Sequence, residues 1–159
     1  MTPQSSPKNR DESWMAEALA EAERAQVAGE VPVGAIVVSD GKIVGRGHNR
    51  VIQDSDPTAH AEIVAMRDAA ATLGNYRLSG CDLFVTIEPC AMCAGAIVHA
   101  RVKSLVYGTD DPKAGAVRSV LGVLNHPQLN HKVEVRSGVL QDRCAQLLKE
   151  FFKSKRAKD

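Results

Sequence analysis

His60, Glu62, Cys90 and Cys93 are the residues of this chain whose types and spacing could do chemistry. One imidazole and two thiolates suit a zinc ion, and three protein ligands leave its fourth position to a water. A zinc that activates water needs that opening. Glu62 lies two residues past His60, and residues two apart on a helix do not face the same way. Its carboxylate is therefore better placed beside a metal, moving protons, than on it. Cys90-x-x-Cys93 alone is a weak signal and also fits a redox pair. With His60-x-Glu62 upstream and Pro89 directly before the first Cys, the combination becomes specific.

These residues need elements to hold them. Apolar spacing of Trp14, Ala18, Ala22 and Ala25 predicts a helix from about Ser13 to Ala28, stopped by Gly29. Val33 to Val38 and Ile43 to Val44 read as two strands joined by an Asp40-Gly41 hairpin turn. His48, Asn49 and Arg50 then fall in a loop. Asp56-Pro57-Thr58 reads as the start of a helix running to Leu73, with Asp56 or Thr58 as cap. Asp82 to Ile87 is a strand, Cys90 to Ala100 a helix, and Ser104 to Tyr107 a strand. A short helix is expected over Val117 to Leu124, a last strand over Val133 to Arg136, and a closing helix from Gln141 to about Lys155. The order gives an α/β domain of three layers, α/β/α, around a five-stranded sheet that the hairpin makes mixed. Crossovers that carry helix favour parallel pairing after the second strand.

On this plan His60 lies in the first turn of one helix, and Cys90 and Cys93 in the first turn of another. Positive charge at a helix N-terminus favours the thiolates that bind metal. Cys81 should lie roughly 20 Å from Cys90 at the far end of a strand, and His99 about 9 Å beyond Cys93. Neither reaches the same ion, whereas His48, in a loop, stays open as a fourth ligand. Cys81 and Cys144 read as buried apolar residues.

The chain's 159 residues suit one domain, with residues 1–10 a polar, disordered tail and 11–156 the folded unit. Hydrophobic residues at 44% and charged residues at 25% are ordinary for a globular fold, and a net charge of +1 supplies no global field for nucleic acid. No stretch reaches the roughly 20 apolar residues of a membrane span, and with no apolar run behind Met1 no signal peptide is expected. The expected compartment is the reducing cytosol.

Taken together, Glu30-Val31-Pro32-Val33-Gly34-Ala35, Thr58-Ala59-His60-Ala61-Glu62, Asn75-Tyr76-Arg77-Leu78, Glu88-Pro89-Cys90-Ala91-Met92-Cys93, Asp111-Pro112-Lys113-Ala114-Gly115-Ala116 and His126-Pro127-Gln128-Leu129-Asn130-His131 carry a resemblance. The chain resembles the bacterial tRNA-specific adenosine deaminases of the cytidine-deaminase-like superfamily from about Trp14 to Arg156. The resemblance implies a cytoplasmic homodimer with one Zn²⁺ per subunit, bound by His60, Cys90 and Cys93, with Glu62 as the catalytic proton shuttle. It implies RNA editing, with adenosine converted to inosine at the wobble position of a tRNA anticodon loop, and a tRNA site drawn from both subunits. Asn49, Asp111 and Asn130 match the family's substrate-contacting positions; by residue type alone they are also ordinary turn residues.

The basic C-terminal segment Lys149 to Arg156 fits a helix that contacts phosphates and stacks a Phe on a splayed base. The Phe151-Phe152 pair fits packing in the core or a dimer interface equally well. Two other functions stay open: a small-molecule deaminase acting on guanine or a free nucleoside, and a zinc-stabilised binding module without catalysis. A fourth protein ligand would favour the second.

Overall fold

A computed structural model describes residues 6–158, so residues 1–5, half of the expected N-terminal tail, lie outside the described residues. Its helices and strands run in the order α1 (Pro7–Val27), β1 (Gly34–Ser39), β2 (Lys42–His48), α2 (Ala61–Leu73), β3 (Asp82–Ile87), α3 (Ala91–His99), β4 (Ser104–Thr109), β5 (Glu134–Arg136) and α4 (Gln141–Lys158). The sheet order is β2-β1-β3-β4-β5. β1 pairs antiparallel with both β2 and β3, while β3–β4 and β4–β5 are parallel. The sheet is mixed, as the hairpin requires. Asp40 and Gly41 both take positive φ in the turn, the conformation that matches strand twist in a two-residue hairpin.

Alternate residues of the central strands feed two separate cores. Ala35, Val37, Leu83, Val85, Leu105 and Tyr107 pack with α2 and α3. Ile36, Val38, Phe84 and Val106 pack with Met15, Ala18 and Leu19 of α1 and Cys144 of α4. The period of two along each strand thus produces the three layers. Cys81 and Cys144 are fully buried. Burial pushes the Cys144 thiol up to about 12, so it behaves as an apolar residue. No described helix is long and apolar enough to cross a membrane.

Three local expectations change. The first helix begins at Pro7, with the Ser6 hydroxyl accepting from Asn9 N at 3.2 Å, so residues 7–10 belong to it and not to a tail. Pro within the first turn is compatible with that start. The second helix begins only at Ala61, because Asp56 forms a separate Asx turn in which its Oδ1 accepts from Thr58 N and Thr58 Oγ1. No helix forms over Val117 to Leu124. The N–H groups of Val117, Arg118 and Ser119 all turn onto one carboxylate, that of Glu88, and the chain coils around it.

Candidate active site

His60 and Cys90 are the N-cap residues of α2 and α3, one step before the first turns where sequence placed them. Both helix starts are fixed by backbone contacts. A Cβ at Gly47 of β2 would lie 2.5 Å from Ala65 N and 2.7 Å from Ala61 O, so α2 rests directly on the strand backbone there. Asn49 Oδ1 accepts from Ala61 N at 2.9 Å, and Arg50 N donates to Ala59 O, holding the segment that carries His60. On the other side, Glu88 N donates to Thr109 O and Ala116 N donates to Pro89 O, fastening the approach to Cys90.

The result is convergence. His60 Nδ1 lies 3.6 Å from both Cys90 Sγ and Cys93 Sγ. The three donor atoms all fall within 4.8 Å of one another. Two donors held tetrahedrally around one zinc at bond lengths of about 2.1 and 2.3 Å stand about 3.6 Å apart, so the donor set fits that ion. The Cys90 thiol is pulled down to about 3 by hydrogen bonds from Cys93 and His60. Cys93 is pushed up by the hydrogen bond it makes to Cys90 and by its burial. His60 is raised chiefly by its hydrogen bond with Cys90. Among the described residues no fourth His, Cys, Asp or Glu joins this group. His48, left open by the sequence, directs Nδ1 to Glu21 Oε1 at 3.3 Å instead.

Glu62 is 3% exposed, on the first turn of α2. Burial raises its carboxyl from the ordinary 4.5 to about 7, and the nearby Cys90 adds to the rise. A carboxyl there exchanges a proton near neutrality, as an acid–base group must.

Sequence reasoning assigned no role to Glu88, and its fully buried carboxylate organises the opposite wall. It accepts from five donors: the N–H groups of Asp111, Val117, Arg118 and Ser119, and the Ser119 hydroxyl. Burial alone would raise its carboxyl, but these hydrogen bonds outweigh that and hold it at about 2. The available signal was an acidic residue between an apolar strand and Pro89, where a charge must be buried or paired.

These elements line a cleft of about 730 Å³ containing His60, Glu62, Cys90 and Glu88. Asn49 and Asp111 line it too. Asn49 Oδ1 is committed to Ala61 N, leaving its Nδ2–H donors for a ligand. Asp111 Oδ1 accepts from Lys113 N and Ala114 N, leaving Oδ2. Asn130 is not brought together with them: it is exposed in the loop before β5 and does not line the cleft of its own chain. From α4, Lys149, Phe152 and Arg156 enter the lining. The two phenylalanines divide the roles sequence left open. Phe151 is 8% exposed and packed inward, while Phe152 is 43% exposed and meets it edge-on at 5.4 Å.

Residues 9–156 match the MafB19-like deaminase family. A tRNA-specific adenosine deaminase of Haemophilus influenzae is 50% identical over 147 residues, 92% of this chain and 85% of the relative. One from Bacillus subtilis is 44% identical over 149 residues, 94% and 92% of the two chains. A structure solved in work on A-to-I editing by tRNA:A34 deaminases at the wobble position superposes with a TM-score of 0.83 at 46% identity, covering 86% of this chain and 99% of that one. A guanine deaminase from Nitrosomonas europaea superposes with a TM-score of 0.74 at 28% identity, covering 94% and 86%.

Proposed function

Because the chain belongs to the family of tRNA-specific adenosine deaminases, we propose that it converts adenosine to inosine at the wobble position of a tRNA anticodon, with one zinc per subunit held by His60, Cys90 and Cys93. The observation that carries the reading is the buried Glu62 carboxyl beside three convergent soft donors, inside one open cleft. When bound, zinc supplies Lewis-acid activation of water. The chain's own residues do the rest. Glu62 accepts a proton from the attacking water and returns protons to the adenine ring nitrogen and to the departing amine. The water's oxygen replaces the amine at C6, and ammonia leaves. Asn49 and Asp111 present hydrogen-bonding groups to the base and ribose from opposite walls.

A single-stranded loop suits the cleft because a base must leave its stack to enter such a site. Lys149 and Arg156 supply positive charge at its rim, and Phe152 an aromatic face for a neighbouring base. The exposed apolar side chains Met92, Val120 and Leu121 support a homodimer, and Asn130, outside its own cleft, is free to act at a partner's. A tRNA substrate assigns the enzyme to the cytoplasm.

The discriminating experiment offers the protein an anticodon stem-loop with adenosine at the wobble position, beside free adenosine, guanine and cytidine. Inosine should form in the RNA alone. Turnover of free guanine with none of the RNA would assign the chain to the small-molecule deaminases instead.

A further inference from the structure

The segment that carries Asp111 is anchored on two sides. On its inner side the Glu88 carboxylate accepts from the N–H groups of Asp111, Val117, Arg118 and Ser119. On its outer side Asp110 and Arg118, eight residues apart, close on each other. Arg118 Nε donates to Asp110 Oδ1 at 3.2 Å, and Arg118 Nη2 donates to Asp110 Oδ2 at 2.8 Å. A planar guanidinium that meets both oxygens of a carboxylate fixes direction as well as distance. Arg118 thus joins the two anchors, with its backbone on Glu88 and its side chain on Asp110.

A third group ties this pair to the sheet. Tyr107 of β4 is fully buried, and its hydroxyl donates to Asp110 Oδ1 at 3.2 Å. A ring packed in the core holds its rotamer, so the hydroxyl at its tip is a fixed point. The hydrogen bond from Arg118 is the main reason that the Asp110 carboxyl lies below its ordinary 3.8, so the pair is charged at neutral pH. Between the two ends, Pro112, Lys113 and Ala114 are exposed at the lining of the cleft.

The Asp110 and Arg118 side chains are 38% and 64% exposed. An ion pair that open to water contributes little to global stability. Spanning a loop at the cleft, it acts instead on which loop conformation is populated, where a small free energy is enough.

We propose that Tyr107, Asp110 and Arg118 are positioning residues for Asp111: they hold the 111–117 segment in the arrangement that meets the substrate, without touching the substrate themselves. The proposal rests on the reading of Asp111 as a substrate contact in the deamination. Residues acting this way set the fraction of protein competent to bind, so their loss raises KM and leaves kcat in place.

The test is steady-state kinetics on the anticodon stem-loop for Arg118→Gln, Tyr107→Phe, Asp111→Ala and the double variant Asp111→Ala/Arg118→Gln, with the Tm of each. Arg118→Gln should raise KM about fivefold, the most that an exposed pair supplies, with kcat retained. Its Tm should fall by no more than about 3 °C. Tyr107→Phe keeps the buried ring and removes only the hydroxyl, and should raise KM about twofold. Asp111→Ala removes the group being positioned, so adding Arg118→Gln to it should change KM no further. Effects that multiply in the double variant, or an Arg118→Gln protein with wild-type KM, would overturn the positioning role and leave the deaminase reading intact. Wild-type KM in Asp111→Ala would overturn both the positioning role and the substrate contact it rests on. A wild-type protein that does not edit the stem-loop would overturn the deaminase reading and this proposal together.

Discussion

The Glu88 carboxylate fills the space that a side chain at Gly115 would need. A Cβ built on Gly115 overlaps both carboxylate oxygens, and the same carboxylate gathers five hydrogen bonds from the 111–119 segment. The wall that carries Asp111 is thereby tied to the residue two before Cys90. Gly115→Ala should force the segment or the carboxylate to shift, costing about 1–3 kcal/mol as overpacked sites do and reducing kcat/KM. Urea unfolding and steady-state kinetics check this; wild-type values for both would show that the loop yields freely.

The pH dependence of stability follows from the same group. The Glu88 carboxyl sits at about 2 in the folded protein against an ordinary 4.5. A depressed folded value means that stability is fully present above about 4.5 and is lost as pH falls towards 2. The contribution is about 3 kcal/mol. Denaturant midpoints measured from pH 6 to pH 2.5 should fall in the wild type. In Glu88→Gln this part of the slope should vanish, and an identical slope in both would reject the assignment.

Glu62→Gln should keep the fold and the metal while losing about 10²–10⁴ in kcat, the usual contribution of a positioned acid–base group. Single-turnover assays together with metal analysis separate the two effects. Full activity in this variant would remove Glu62 from the proton path.

Cys90→Ser should lose zinc and, with it, stability, because metal binding to such a site contributes to folding. Metal content by mass spectrometry and Tm with and without a chelator would check this. A variant that holds zinc at wild-type stoichiometry would show that the ligand set has been misread.

Phe151→Ala and Phe152→Ala should fail in different ways. Phe151 is buried, and its truncation should cost about 3–5 kcal/mol of stability. Phe152 is partly exposed on the cleft, and its loss should raise KM for the stem-loop while Tm changes little. Equal Tm losses in both would place Phe152 in the core.

Much of the fold was legible because the strands alternate strictly between two cores. Ile36 and Val37, or Phe84 and Val85, need only a period of two to be assigned to opposite faces. The grouping of His60, Cys90 and Cys93, which could hold a metal, was legible for a related reason: the three stand where chain direction changes, and residue type plus punctuation by Pro and Gly marks such places. The 111–124 segment was not legible. Its apolar residues suggested a helix, but its conformation is set by a carboxylate more than twenty residues earlier in sequence, and local propensity carries no trace of a long-range acceptor. His48 was ambiguous for the same reason, since it ends β2 while its partner Glu21 lies far back in sequence on α1.

The two N-cap positions have one more implication. His60 and Cys90 each open a helix that runs away from the end where the three donors meet, so the chain between them makes a round trip. Residues added or lost at the distant turnaround would change how many amino acids separate the donor residues while leaving the spacing of their donor atoms untouched. What the centre demands of evolution is a fixed meeting of two helix beginnings, and the contour length joining them is free to drift.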